Sequence, residues 1–127
     1  MIGYVTIGHN GLEAATAFYD KALAPLGYAR TFSSGTWAGY GPGGKREGFE
    51  IYLAAPHDGK AATFGNGSML AFRAPDRAAV EACHAAALAA GGIDEGAAGV
   101  RGEFNPPFYG AYFRDPTGNK ICVFVRG

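Results

Sequence analysis

The chain has 127 residues, 48% of them hydrophobic, so it has the length of one domain and enough apolar side chains for a proper core. Its formal net charge is +0 and its Lys and Arg are not gathered into runs, which argues against nucleic acid or an anionic membrane as the main partner. Cys83 and Cys122 lack the close spacing of a metal knuckle or a redox dithiol and read as buried, reduced thiols.

Met1 leads directly into Tyr4-Val5-Thr6-Ile7, with no basic segment and apolar run of the signal-peptide kind and no stretch long enough to span a membrane. A cytoplasmic location is expected. The β-branched and aromatic residues 4–7 suit a strand that ends at Gly8. Asn10, with Glu13 three residues later, predicts a helix cap, and Leu12, Ala15, Phe18, Tyr19, Ala22, Leu23 and Leu26 trace one helical face up to Gly27. Three strands are predicted next, over 28–32, 36–40 and 49–53, separated by Ser33-Ser34-Gly35 and by Gly41-Pro42-Gly43-Gly44. The second of these turns runs into Lys45-Arg46, but no strand-to-helix context follows, so it reads as a hairpin rather than a phosphate loop.

Residues 57–67 read as a linker, with a turn at Asp58-Gly59. The order then restarts with a strand over 68–73, a break and cap at Pro75-Asp76, and an Ala-rich helix over 77–90 whose inner stripe is Val80, Cys83, Ala87 and Leu88. Gly91-Gly92 ends it. Residues 93–102 are weakly patterned, with Val100 the only good strand residue. A hairpin over 108–125 closes the chain around Asp115-Pro116-Thr117-Gly118-Asn119. Its second strand sets Ile121, Val123 and Val125 on one face against Lys120, Cys122, Phe124 and Arg126 on the other.

Ala17, Leu23 and Gly27 recur as Ala82, Leu88 and Gly92, each 65 positions later, and Phe49-Glu50-Ile51-Tyr52 lies over Ile121-Cys122-Val123-Phe124. The expected fold is therefore α+β: two paired βαβββ modules, 1–56 and 68–127, forming a curved sheet around a cleft with helices on the outside. Alternation points Val5, Ile7, Ile51, Leu53, Leu70, Phe72, Ile121 and Val123 to the core. It leaves Tyr4, Thr6, Glu50, Tyr52, Met69, Ala71, Arg73, Cys122 and Phe124 on the concave side. An open pocket is expected there rather than a closed core, because Glu50 and Arg73 are costly to bury without partners or water. Trp37, Tyr40, Phe104, Phe108, Tyr109 and Tyr112 are numerous enough for an aromatic wall, though strand aromatics also make good core.

Glu50 is the best candidate for chemistry, as a general base beside a carbonyl with Tyr4 or Tyr52 donating to the oxyanion; the alternative is an ion pair with Arg73 or Lys120. Cys122 reads as structural, since no adjacent cation or helix N-terminus is evident to activate it. Of the histidines, His9 reads as a solvent-facing loop residue, His84 as packed or half-exposed on its helix, and His57 as exposed. Their spacing assembles no metal triad.

The paired unit, the stretch from Ala17-Phe18-Tyr19-Asp20 to Leu26-Gly27, and the run Phe113-Arg114-Asp115-Pro116-Thr117-Gly118-Asn119-Lys120-Ile121 resemble the vicinal oxygen chelate superfamily. That superfamily contains glyoxalase I, bleomycin resistance proteins, fosfomycin-modifying enzymes and extradiol dioxygenases. The resemblance covers essentially the whole chain and implies a small-molecule cleft and a homodimer. Relatives often carry metal ligands in the first, fourth, fifth and eighth strands (His or Gln, Glu, His, Glu); here these positions fall on Tyr4, Glu50, Met69 and Cys122, and only Glu50 keeps the residue type.

The expectation is thus a protein that binds a small organic molecule without the usual divalent metal or any other cofactor, with Thr6, Trp37, Met69, Arg73, Tyr112, Cys122 and Phe124 lining the site. One alternative is a metal-dependent glyoxalase-type lyase or dioxygenase with other ligands. Another is a drug-sequestering protein, which the neutral chain supports little.

Overall fold

A computed structural model describes all 127 residues. Strand β1 (Tyr4–Gly8) leads to helix α1 (Leu12–Leu23), a single 3-10 turn (Ala24–Leu26), and strands β2 (Tyr28–Ser34), β3 (Trp37–Pro42) and β4 (Glu50–Ala54). After residues 55–69 come β5 (Leu70–Arg73), α2 (Arg77–Ala89), β6 (Ile93–Arg101), β7 (Phe108–Arg114) and β8 (Lys120–Arg126). The strands make two four-stranded sheets, ordered β1-β4-β3-β2 and β5-β8-β7-β6, in which β1 runs parallel to β4 and β5 parallel to β8. The fold is the α+β pair of βαβββ modules that the repeat predicts. No helix is long and apolar enough to cross a membrane.

Each helix lies on one face of its own sheet, and the two helices touch. Phe18, Tyr19, Ala22 and Leu23 of α1 and Val80, Cys83 and Ala87 of α2 merge with Ala38, Tyr40, Ile51, Leu53, Phe72, Ala111, Phe113, Ile121 and Val123 into one buried cluster. The core is therefore shared between modules, as expected where neither small sheet can cover itself. The opposite face of each sheet carries no helix. Strands β1 and β2 are the edges of the first sheet and β5 and β6 of the second, and no Cα of β1 lies within 8 Å of a Cα of β5.

One carboxylate joins the halves. Asp115, 3% exposed, accepts from the backbone N–H groups of Thr117, Gly118 and Asn119 through Oδ1 at 3.0, 2.9 and 2.9 Å. Its Oδ2 accepts from Asn119 Nδ2 at 2.8 Å and from the Tyr19 hydroxyl, across the module boundary, at 2.6 Å. Burial first, then the Asp115 charge, holds the Tyr19 phenol well above its usual range, so it stays a donor. Asn119 Nδ2 also donates to Gly8 O at 3.1 Å, tying the same turn to the end of β1.

Three local expectations need correction. Asn10 does not cap α1: Gly11 precedes the helix, and the Asn10 amide instead clamps Ala62, accepting from its N–H at 2.6 Å and donating to its carbonyl at 3.1 Å. A short polar side chain serves a distant backbone as well as its own, and the cap signal does not distinguish the two. Asp76 does cap α2, accepting from Ala79 N–H at 2.8 Å. His9 is not solvent-facing but 5% exposed, with Nε2 on Thr36 O at 2.7 Å and Nδ1 accepting from Gly11 N–H at 3.1 Å. The weak segment 93–102 is a nine-residue strand, β6, whose pairing with β7 shifts register around Gly96; the bulges break the alternation that marks a strand.

Removing the joining carboxylate leaves several buried donors unpaired. Asp115→Ala is expected to lose about 3 kcal/mol or more of unfolding free energy, and Tyr19→Phe about 1–2 kcal/mol, in urea denaturation. A loss below about 0.5 kcal/mol for Asp115→Ala would show that the turn is held by other contacts.

Candidate functional site

The uncovered face of the first sheet is organised around Tyr52. Register places Tyr4 beside Glu50 and Thr6 beside Tyr52 across β1 and β4, and Gly39 of β3 on the other side of Tyr52. Tyr4 stacks on Tyr52 with ring centroids 4.4 Å apart, and Phe32 and Trp37 meet it edge-on at 5.5 and 6.4 Å. Gly39 makes this possible, since a Cβ there would stand 2.5 Å from the Phe32 ring. The box is apolar on three sides with a phenol hydroxyl at its end.

That hydroxyl donates to Glu50 Oε2 at 3.2 Å and accepts from Arg46 Nη2 at 3.2 Å, while Arg46 Nε lies 3.7 Å from Glu50 Oε1. The cation beside Glu50 is therefore Arg46 and not Arg73 or Lys120. The Glu50 side chain is only 13% exposed, and its Oε1 is buried without a hydrogen bond. Arg46 is itself exposed, so its attraction to Glu50 is screened and weak. The site holds a carboxylate with one oxygen engaged and one free.

The uncovered face of the second sheet carries the other named residues. Cys122 is flanked by Ala71 on β5 and Tyr112 on β7, and Phe124 by Arg73 and Gly110. Phe108 stacks on Phe124 at 5.1 Å, and the Arg73 guanidinium lies 5.8 Å from the Phe124 ring. Cys122 is fully buried although it belongs to this face, and burial pushes its thiol up to about 11. Met69, just before β5, is 46% exposed.

Tyr4, Thr6, Trp37, Glu50 and Tyr52 thus share one sheet, and Arg73, Tyr112, Cys122 and Phe124 the other, with Met69 just before it. A groove of about 360 Å³, lined by Thr6, Gly8, Met69, Leu70, Asn119 and Lys120 among others, separates the free edges. Of the wider aromatic set, Tyr40 is core and Phe104 is exposed. Sequence reasoning missed Arg46 and Phe32. Arg46 sits in an irregular turn with no periodicity to direct it, and the β2 bulge between Arg30 and Phe32 resets which side chains face the box.

The donors at the four ligand positions do not suit a hard or borderline divalent ion. Tyr4 is stacked, Met69 is a thioether, and Cys122 is a protonated thiol at neutral pH; only Glu50 offers a carboxylate. No three His, Cys, Asp or Glu side chains gather anywhere in a way that could hold an ion. Both ring nitrogens of His9 are already engaged, His57 is exposed, and His84 contacts Asp94 at 3.0 Å.

Residues 1–123 match the family model described as Glyoxalase/Bleomycin resistance protein/Dioxygenase superfamily. A solved glyoxalase/bleomycin resistance protein from Albidiferax ferrireducens T118 is 36% identical, with a TM-score of 0.87, over 100% of this chain and 99% of that one. A glyoxalase-related enzyme from Fulvimarina pelagi is 20% identical over 98% of this chain and 87% of that one, with a TM-score of 0.76. A glyoxalase/bleomycin resistance protein/dioxygenase family enzyme from Burkholderia phytofirmans PsJN is 21% identical over 98% of each chain, with a TM-score of 0.72. No curated protein matches the sequence.

Burial pushes the Cys83 thiol up to about 12 as well. At pH 8 about one Cys122 thiol in a thousand is ionised, and both sulfurs are covered. Iodoacetamide at pH 8 is expected to label neither cysteine in the folded protein and both in urea, as read by intact mass. Rapid labelling of Cys122 in the folded state would mean a reactive, accessible thiol.

Proposed function

The chain belongs to the Glyoxalase/Bleomycin resistance protein/Dioxygenase superfamily, and from that premise we propose that it binds a small organic molecule in its cleft without a divalent ion. The observation that carries this reading is the ring cluster around Tyr52, whose exposed members Tyr4 and Trp37 give the open face a flat apolar surface near the Glu50–Arg46 pair. A metal-dependent lyase or dioxygenase would need donors from outside the four family positions. The two free thiols fit a reducing compartment, and the cytoplasm is the proposed location.

The cleft is proposed to be completed by a second copy of the chain. Each sheet ends in an unpaired strand, and exposed apolar side chains cluster there: Tyr4 at 54%, Met69 at 46% and, on the same open face as Tyr4, Trp37 at 42%. Pairing β1 of one copy with β5 of the other satisfies both edges and sets the two open faces side by side. In that arrangement Tyr4 of one copy faces Met69 of the other.

One observation favours turnover as a second reading. Glu50 Oε1 has no hydrogen bond, so the carboxylate has a lone pair for a proton adjacent to a carbonyl, and the Tyr52 hydroxyl, which donates to Glu50 Oε2, would turn from it to donate to the oxygen that becomes negative. Elemental analysis of purified protein is expected to find Ni, Zn, Mn and Fe well below one per chain, with ligand binding unchanged by EDTA. Stoichiometric metal lost together with binding on chelation would sink the reading. If the site is catalytic, Glu50→Gln keeps ligand affinity within about threefold and lowers kcat by about 100-fold or more; equal losses in both would make Glu50 a binding residue only.

A further inference from the structure

The two open faces differ in charge. On the second sheet, register places Arg73 beside Phe124, Arg126 and Arg101 on either side of Phe108, and Lys120 opposite Arg114. Arg114 is neutralised by Glu95, Nε to Oε1 at 2.6 Å. The other four cations are in no ion pair. Each instead lies over a ring of the same sheet: Arg73 over Phe124 at 5.8 Å, Arg126 over Phe108 at 5.5 Å, and Arg101 and Lys120 over Tyr112 at 5.4 and 5.7 Å. The Glu95 carboxylate, which Lys120 also attracts, is already held by Arg114.

Arg101 is seated by the backbone beneath it. A Cβ on Gly99 would stand 2.9 Å from its Nη1 and one on Gly96 3.2 Å from its Nη2, so these two glycines of the bulged strand clear the floor on which the guanidinium lies. Its Nη2 also donates to Ala97 O. The result is a guanidinium seated on its own strand with no counter-charge, against the same Tyr112 ring that Lys120 contacts. Pre-placing such a group lowers the ordering cost of binding an anion, and a charge-assisted hydrogen bond to it is about twice as strong as a neutral one. Burial first, then the neighbouring Cys122 thiol, raises the Tyr112 phenol above its usual range.

We infer that Arg101, Lys120 and Tyr112 form an anion-binding subsite of the cleft, which takes the carboxylate or phosphonate of a ligand whose flat apolar body lies against the neighbouring rings. This rests on the reading of the open faces as cleft walls and adds the ligand's chemical class to it. The same cations disfavour sequestration of a cationic drug.

The test is calorimetric titration of the full-length protein with benzoate, phenylphosphonate and neutral benzamide, at low salt and again at 0.5 M NaCl. Wild type is expected to bind at least one anion about tenfold tighter than benzamide, with the preferred anion telling carboxylate from phosphonate, and salt is expected to erode that advantage. Arg101→Gln and Lys120→Gln should each weaken the anion by about fivefold or more and leave benzamide unchanged, whereas Lys21→Gln, on the exposed side of α1, should change nothing. Benzamide binding as tightly as both anions, anion binding unaltered in both variants, or no saturable anion binding would overturn the subsite. Benzamide binding with no anion preference would leave the cleft reading standing. An anion preference lost in the two variants of a monomeric protein would support the subsite and remove the shared cleft.

Discussion

The Asp115 carboxylate is the interaction on which the rest of the architecture depends. It closes the β7–β8 turn with three backbone bonds, and the same group receives the Tyr19 hydroxyl from the other module. A buried charge is costly unless its lone pairs are filled, and here five donors from turn, side chain and helix fill them. That requirement fixes α1 against the second module and lets the two helices share one core. With the helices joined on one side, the other side of each sheet is left uncovered.

The two uncovered faces are chemically unlike, although they come from repeats of one unit. The first has a ring box enclosing a carboxylate; the second has rings carrying four unpaired cations. Core positions of the two copies, such as Ile51 and Val123, remain apolar and alike, while the matched open-face pair Glu50 and Cys122 has nothing in common. The proposed ligand, with an anionic end and a flat body, would use both halves of that asymmetry.

Most of the fold was legible in the residues because local signals and the global arrangement agree. The 65-residue repeat, the stop at Gly27, which takes φ 77°, and the Asp115 turn each have a physical cause that shows in sequence. Strand alternation also separates the core-facing Ile51, Leu53, Phe72, Ile121 and Val123 from their neighbours, since a period of two is rigid. What could not be read lies where that period fails. Bulges in β2 and β6 turned Phe32 toward Tyr52 and brought Arg101 onto its glycine floor, and the contacts of Asn10, His9 and Arg46 join residues from irregular segments. The separation of β1 from β5 is a tertiary outcome that no local pattern carries.

The central claim is that the site is assembled from the first sheet of one copy and the second sheet of another. A T6C/A71C double variant tests it, because the paired free edges of two copies would bring those positions together, whereas within one chain β1 and β5 are more than 8 Å apart and beyond disulfide reach. After mild oxidation, denaturing non-reducing electrophoresis should show a covalent species of twice the 13.2 kDa chain mass that collapses on reduction. A product that stays at 13.2 kDa with its introduced thiols free would contradict the account.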